Sequence, residues 1–129
     1  MAATNLHRRR VLIVDNDRDT VDILEYALDQ CGAVVASATT TREALDLLNS
    51  WVPDILVSDF VMPDDGTHLA ARAKELKIPA IAITGRARPD EQEQIVASGF
   101  VLCVTKPFDA EELCRTIASY LKIAPDNQS

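Results

Sequence analysis

Five short apolar runs, each followed by residues at helical spacing, constrain this 129-residue chain more than any other feature. The runs are Val11-Leu12-Ile13-Val14, Ala33-Val34-Val35-Ala36, Ile55-Leu56-Val57-Ser58, Ala80-Ile81-Ala82-Ile83 and Val101-Leu102-Cys103-Val104. Each has the length of a strand. They are nearly continuous in apolar residues rather than alternating, as parallel strands covered on both faces must be.

The segments between them read as helices. Val21, Leu24, Ala27, Leu28 and Cys31 recur at helical spacing, and Gly32 ends that segment. Thr40-Thr41-Arg42-Glu43 has capping-box spacing and opens a helix with Ala44, Leu47, Leu48 and Trp51 on one face, broken by Pro53-Asp54. A short third helix carries Leu69, Ala70, Ala73 and Leu76. Pro89-Asp90-Glu91 starts a fourth, with Ile95 and Val96 expected inward and Gly99 as its stop. Asp109 caps the fifth, whose inward positions are Leu113, Cys114, Ile117, Ala118 and Leu121. Strand alternating with helix, joined by right-handed crossovers, gives a three-layer α/β fold around a doubly wound parallel sheet. In such sheets ligands bind beyond the carboxyl ends of the strands.

One domain accounts for a chain of this length. Its expected extent is residues 11–123, with an N-terminal tail at 1–10 and a C-terminal tail at 124–129. Thirteen basic against twenty acidic residues give a net charge of −7. That argues against direct nucleic-acid binding and against an anionic membrane surface, since both need a positive field. Arg8-Arg9-Arg10 is read as solvated flanking charge. No apolar run approaches a membrane span and no signal-peptide pattern opens the chain, so a cytoplasmic location is expected. The three cysteines, Cys31, Cys103 and Cys114, are read as reduced buried thiols. His7 and His68 lie far apart in sequence and support neither a zinc site nor a triad; His68 is expected to face solvent.

The strand ends carry the chemistry. Asp15, Asn16 and Asp17 follow the first strand, Asp59 the third, Thr84 the fourth and Lys106 the fifth. Parallel topology brings these positions to one edge of the sheet. Carboxylates gathered there repel unless a cation joins them, and an oxygen-only set suits Mg²⁺. A carboxylate is a competent nucleophile toward phosphorus. Phosphoryl transfer then needs positioning and neutralisation of three oxygens, which a divalent cation, a lysine and a threonine hydroxyl together supply.

With these residues in view, the chain resembles the response-regulator receiver domain of two-component signalling. The resemblance runs from about Val11 to Leu121. It rests on Val11-Leu12-Ile13-Val14-Asp15, Asp54-Ile55-Leu56-Val57-Ser58-Asp59, Met62-Pro63, Asp65-Gly66, Ile83-Thr84-Gly85 and Thr105-Lys106-Pro107-Phe108. It implies a flavodoxin-like five-stranded sheet in order 2-1-3-4-5 with five helices. Asp59 would accept a phosphoryl group from a phosphohistidine of a sensor histidine kinase or phosphotransfer protein. Asp15, Asn16, Asp59 and the Val61 carbonyl would hold Mg²⁺, Thr84 would hydrogen-bond the phosphoryl group, and Lys106 would pair with it. A cis bond before Pro107 is also implied. The protein would switch a surface toward a downstream protein, and would be no enzyme beyond its own phosphorylation and dephosphorylation.

Three departures from the family pattern stand out. Asn16 replaces the second of two adjacent acids, which predicts weaker Mg²⁺ binding unless Asp17 compensates. Cys103 stands three residues before the lysine, where the family carries a Tyr or Phe coupled to the threonine. The Met62–Gly66 loop is one residue shorter than usual. Val61 is apolar and cannot orient an attacking water, so slow loss of the phosphoryl group is expected. Two alternatives stay open. One is a phosphate-independent docking module of the same fold, suggested by Asn16 and Cys103. The other is a haloacid-dehalogenase-type phosphohydrolase using Asp15-Asn16-Asp17, opposed by the absence of a late acidic pair and of room for a cap domain.

Overall fold

A computed structural model describes residues 4–60, 67–85 and 88–122. The elements alternate in chain order: β1 (Arg10–Val14), α1 (Arg18–Gln30), β2 (Val34–Ala38), α2 (Thr41–Ser50), β3 (Ile55–Asp59), α3 (Thr67–Glu75), β4 (Ala80–Thr84), α4 (Pro89–Ala97), β5 (Leu102–Thr105) and α5 (Ala110–Tyr120). All strand pairs are parallel and their order is β2-β1-β3-β4-β5. This is the flavodoxin-like doubly wound sheet, with five helices in two outer layers.

The strand sequences explain the layering. Residues 11–14 of β1, residues 55–58 of β3 and the whole of β4 are buried, so these central strands meet a helical layer on each side. The edge strands β2 and β5 are only half-buried over most of their length. Alternate strand residues feed two separate cores. Val11, Ile13, Ile55, Val57, Ile81 and Ile83 pack with Val21, Leu24 and Leu28 of α1 and with Leu113, Cys114 and Ile117 of α5. Leu12, Val14, Leu56, Ala80 and Ala82 pack with α2, α3 and Ile95 of α4.

Side chains cap three helices, at Asp109 as the sequence predicts and at Asp17 where it does not. Asp17 caps α1 and Asp109 caps α5, each carboxylate accepting from backbone N–H groups of the first turn. At α2 the Thr40 hydroxyl accepts from the Glu43 N–H, but the Glu43 carboxylate reaches back to the Thr39 N–H. The reciprocal half of the expected capping box is therefore displaced by one residue.

Some boundaries and one facing differ from the sequence reading, β2 and β5 among them, which begin one residue later, at Val34 and Leu102. Ordered packing begins before residue 11: Arg10 belongs to β1, and Leu6, placed in the tail, is fully buried. The Leu6 N–H donates to the Cys31 carbonyl and the Arg8 N–H to the Gly32 carbonyl. A single leucine among polar residues shows no periodicity, although it fills the space at the end of α1. The second strand runs to Ala38, because Ser37 and Ala38 pair with Ile13 and Val14 despite their small or polar side chains. Val96, expected inward, is 55% exposed, leaving Ile95 as the buried residue of α4. Trp51 packs at the end of α2, as its apolar face predicts, and the Arg10 guanidinium lies over its ring at 5.8 Å. His68 is exposed on α3.

Candidate functional site

β1 pairs with β2 up to Val14, and the Asp15 N–H adds one bond to the Ala38 carbonyl. Beyond it the chain must turn to enter α1. The Asp15 carboxylate fixes that turn by accepting from the Asp17 N–H at 2.9 Å through Oδ1. Its other oxygen, Oδ2, faces the Lys106 ammonium at 3.4 Å. The side chain is 2% exposed. Asp17 points away from this group: it caps α1, accepting also from the Thr20 hydroxyl at 2.9 Å. It therefore supplies neither the compensating ligand for Asn16 nor the second acid that the hydrolase alternative requires. Asn16 is exposed at the apex of the turn.

Asp59 closes β3. Its neighbours hold the strand in place: the Ser58 hydroxyl donates to the Asp59 carbonyl, and the Phe60 N–H donates to the Ile83 carbonyl of β4. The Asp59 carboxylate oxygen Oδ2 lies 3.8 Å from Lys106 Nζ, with the side chain 11% exposed. Thr84 closes β4 and is buried. Asp59 is in register with Ile83, which places Thr84 one residue further along the adjacent strand. The backbone of Lys106 is tied to the same strand end, its N–H donating to the Thr84 carbonyl at 2.8 Å. The Lys106–Pro107 bond is cis.

Residues 15, 59 and 106, read from three different strand ends, thus meet around one ammonium. Two carboxylates against one lysine leave the notch net negative. At these separations, in a partly desolvated setting, each ion pair is worth more than an exposed surface pair. The oxygen-only character, the burial of both acids and the residual negative charge fit a hard divalent cation. The fit is incomplete in charge: among the described residues no cluster of three or more His, Cys, Asp or Glu side chains could hold a metal. Val61 and the Met62–Gly66 loop lie outside the described residues. Cys103 is half-buried against the α2/α3/α4 core, and burial pushes its thiol up from the ordinary value.

Sequence reading missed one feature near these elements. Cys31 and Cys114, treated as separate buried thiols, belong to one core, Cys114 within it and Cys31 packed against it. No local signal could reveal a contact between helices so far apart in sequence. Among the described residues no helix is long and apolar enough to cross a membrane.

The chain is similar to known proteins in sequence and in fold. An uncharacterised 14.6 kDa protein from the sodA1 3′ region of Leptolyngbya boryana is 43% identical over 122 residues, covering 90% of this chain and 93% of that protein. The virulence transcriptional regulatory protein PhoP of Salmonella typhimurium is 31% identical over 116 residues, covering 88% of this chain but only 52% of PhoP. The chain thus spans about half the length of that regulator. Among solved structures, a CheY-like response regulator receiver domain protein of Methanospirillum hungatei superposes with a TM-score of 0.81 at 27% identity, covering 88% of this chain and 94% of that one. A two-component response regulator of Clostridium difficile shares the fold with a TM-score of 0.83 at 22% identity, covering 89% and 97%. The family described as the response regulator receiver domain matches residues 11–118, and to that family the chain belongs.

Proposed function

We propose that this receiver domain is phosphorylated on Asp59 by a sensor histidine kinase or phosphotransfer protein, and that the phosphorylated form presents an altered surface to a downstream protein. The observation that carries this reading is the Lys106 ammonium lying between Asp15 and Asp59. Asp59 is the acceptor because it combines a position at the end of a central strand with partial exposure. Asp15 is almost fully buried, and one of its oxygens is committed to the turn.

The transfer is a single displacement. An Asp59 carboxylate oxygen attacks phosphorus, the phosphorus–nitrogen bond of the donor phosphohistidine breaks, and the electron pair leaves with the imidazole. Lys106 and Thr84 hold charge that develops on the phosphoryl oxygens. Asp15 and Asp59, with the Asn16 amide oxygen and the Val61 carbonyl, are the groups that would hold Mg²⁺. When bound, Mg²⁺ supplies the charge neutralisation that lets an anionic donor approach two carboxylates. The neutral amide of Asn16 lowers the affinity for that ion, and the apolar Val61 slows hydrolysis of the product.

The test is treatment with a small acyl phosphate and Mg²⁺, followed by intact-mass measurement. Gain of one phosphoryl group by wild type and none by Asp59→Asn is the expected result. Gain by the variant, or none by wild type, overturns the assignment and favours the phosphate-independent docking module. Asn16→Asp should tighten Mg²⁺ binding, by about tenfold for one added carboxylate interaction worth roughly 1.4 kcal/mol. Unchanged affinity would remove Asn16 from the ligand set.

A further inference from the structure

We propose that the amino edge of the sheet, around Val52, is a docking site for an acidic polypeptide segment that carries an apolar anchor residue. The starting observation is a strained backbone. Val52 follows α2 with φ 51°. It is β-branched and precedes a proline, and both features disfavour positive φ. Glycine or asparagine is usual at this place after a helix. Five described non-glycine residues have positive φ, and Val52 is the one β-branched side chain among them. It is 43% exposed and belongs to neither core, so the strain gains no interior packing. Strain kept without a packing return marks a position held for contact with something else.

Cations share this edge. Parallel topology puts the residues before β1, β3 and β4 side by side, at the end of the sheet opposite Asp59. Neighbouring strands are about 4.8 Å apart, so the chain entering β1 and the chain entering β4 are separated by about 10 Å. The Asp54 N–H donates to the Arg10 carbonyl at 2.8 Å, and the Arg10 guanidinium lies over the Trp51 ring. Arg8, Arg10 and Lys77 are exposed. Two acids at this edge are already engaged: Asp54 accepts from the Arg10 N–H at 2.8 Å, and Glu75 pairs with Arg72 at 3.0 Å. A molecule of net charge −7 repels an acidic partner elsewhere, above all at the strand ends that carry Asp15 and Asp59, and steers it here. The helix dipole accounts for a cation after α3 but not for an exposed, strained valine. Nucleic acid fits less well, because the ring that could stack on a base is already occupied by Arg10. An anionic bilayer also fits less well, since it would meet one aliphatic side chain on a net-acidic molecule.

The experiment titrates the full chain into a short dye-labelled peptide of glutamate and leucine and reads fluorescence anisotropy. A lysine–leucine peptide and a single-stranded oligonucleotide are titrated alongside, and phosphatidylglycerol vesicles are tested by co-sedimentation. The glutamate–leucine peptide should bind, and added salt should weaken it. Arg8→Glu combined with Lys77→Glu should lower the affinity about tenfold, since two attractions become repulsions. Val52→Gly should lower it about fivefold through loss of the apolar anchor. The same substitution should raise the thermal midpoint, because glycine adopts φ 51° without strain. A valine with a merely structural role cannot gain stability and lose binding together. No binding of the glutamate–leucine peptide, equal binding of the lysine–leucine peptide, or stronger binding of the oligonucleotide or the vesicles overturns the proposal. So does an affinity unchanged in the double charge reversal, whose side chains are exposed and whose result stands apart from Val52. A lower midpoint with unchanged affinity in Val52→Gly overturns it as well.

Discussion

The two faces of the sheet are built differently. The α1/α5 face is filled with large aliphatic side chains: Val21, Leu24, Leu28, Leu113 and Ile117 come from just two helices. The opposite face spreads a similar task over three helices and relies on alanine, with Ala38, Ala44, Ala70, Ala73, Ala80 and Ala82 all buried. Alanine lets backbones approach closely but removes little apolar surface from water. The extreme is α4, which buries only Ile95. One face is therefore a frame whose helices are each held by several anchors. The other carries a helix held by one side chain, close to Thr84 at the end of β4. A segment with few buried contacts opens locally before the molecule unfolds.

The largest test of this contrast is in the frame. Leu28 is fully buried in the α1/α5 core. Leu28→Ala should cost about 3 kcal/mol of unfolding free energy, the usual range for a leucine truncated in a rigid core. Urea denaturation reads this as a lower midpoint. A loss under about 1 kcal/mol would mean that the face collapses around the cavity and is no frame.

Ile95→Ala probes the other side. Its global cost should be smaller, about 2 kcal/mol, because the loss cannot exceed what holds α4 in place. The sharper readout is local: amide exchange should accelerate across Pro89–Ala97 while α1 stays protected. Equal acceleration in both helices would abolish the distinction between the two faces.

A pair of glycines compares the faces at backbone level. Gly32 follows α1 with φ +84°, and a Cβ there meets the side-chain oxygen of Asn5 at 2.8 Å. Gly99 follows α4 with φ +118°, and a Cβ there meets the Ala70 carbonyl of α3 at 3.1 Å. The Asn5 side chain can rotate away, though it then gives up its bond from the His7 N–H. The backbone of α3 cannot yield as cheaply. Gly99→Ala should thus cost about 2 kcal/mol and Gly32→Ala about 1 kcal/mol. The reverse order would show that the alanine-lined helices move apart easily.

This close approach also marks where the sequence stops being informative. Apolar runs and their spacing locate every strand and helix, since burial on both faces leaves a strand no polar alternation to confuse it. Asp15, Asp59, Thr84 and Lys106 are legible because each ends an apolar run, and parallel topology forces such ends to one edge. What the sequence hides depends on three-dimensional neighbours. Leu6 gives no sign of burial, since the surface that covers it comes from the end of α1. Asp17 reads equally well as a ligand or a cap, and only the direction of its carboxylate toward Asp19 and Thr20 decides. Val96 looks as apolar as Ile95, yet α4 touches the core along too narrow a line to bury both.

The smallest expected effect lies at the start of α2, on the alanine-rich face. Bonds from the Thr39 N–H and then the Thr39 hydroxyl hold the Glu43 carboxyl below its ordinary value of 4.5. A carboxyl whose folded value is depressed adds stability above its unfolded value and loses it as pH falls through the folded one. Glu43→Gln retains an acceptor but no charge, so wild type should hold a slight advantage near neutrality that closes on acidification below about pH 4.5. The measurement is the difference in urea midpoint between the two proteins across that range. Because Glu43 is solvent-exposed, added salt should shrink the difference at neutral pH. An advantage that widens with acid would place the pH sensitivity elsewhere and make the Thr39–Glu43 contact a bystander.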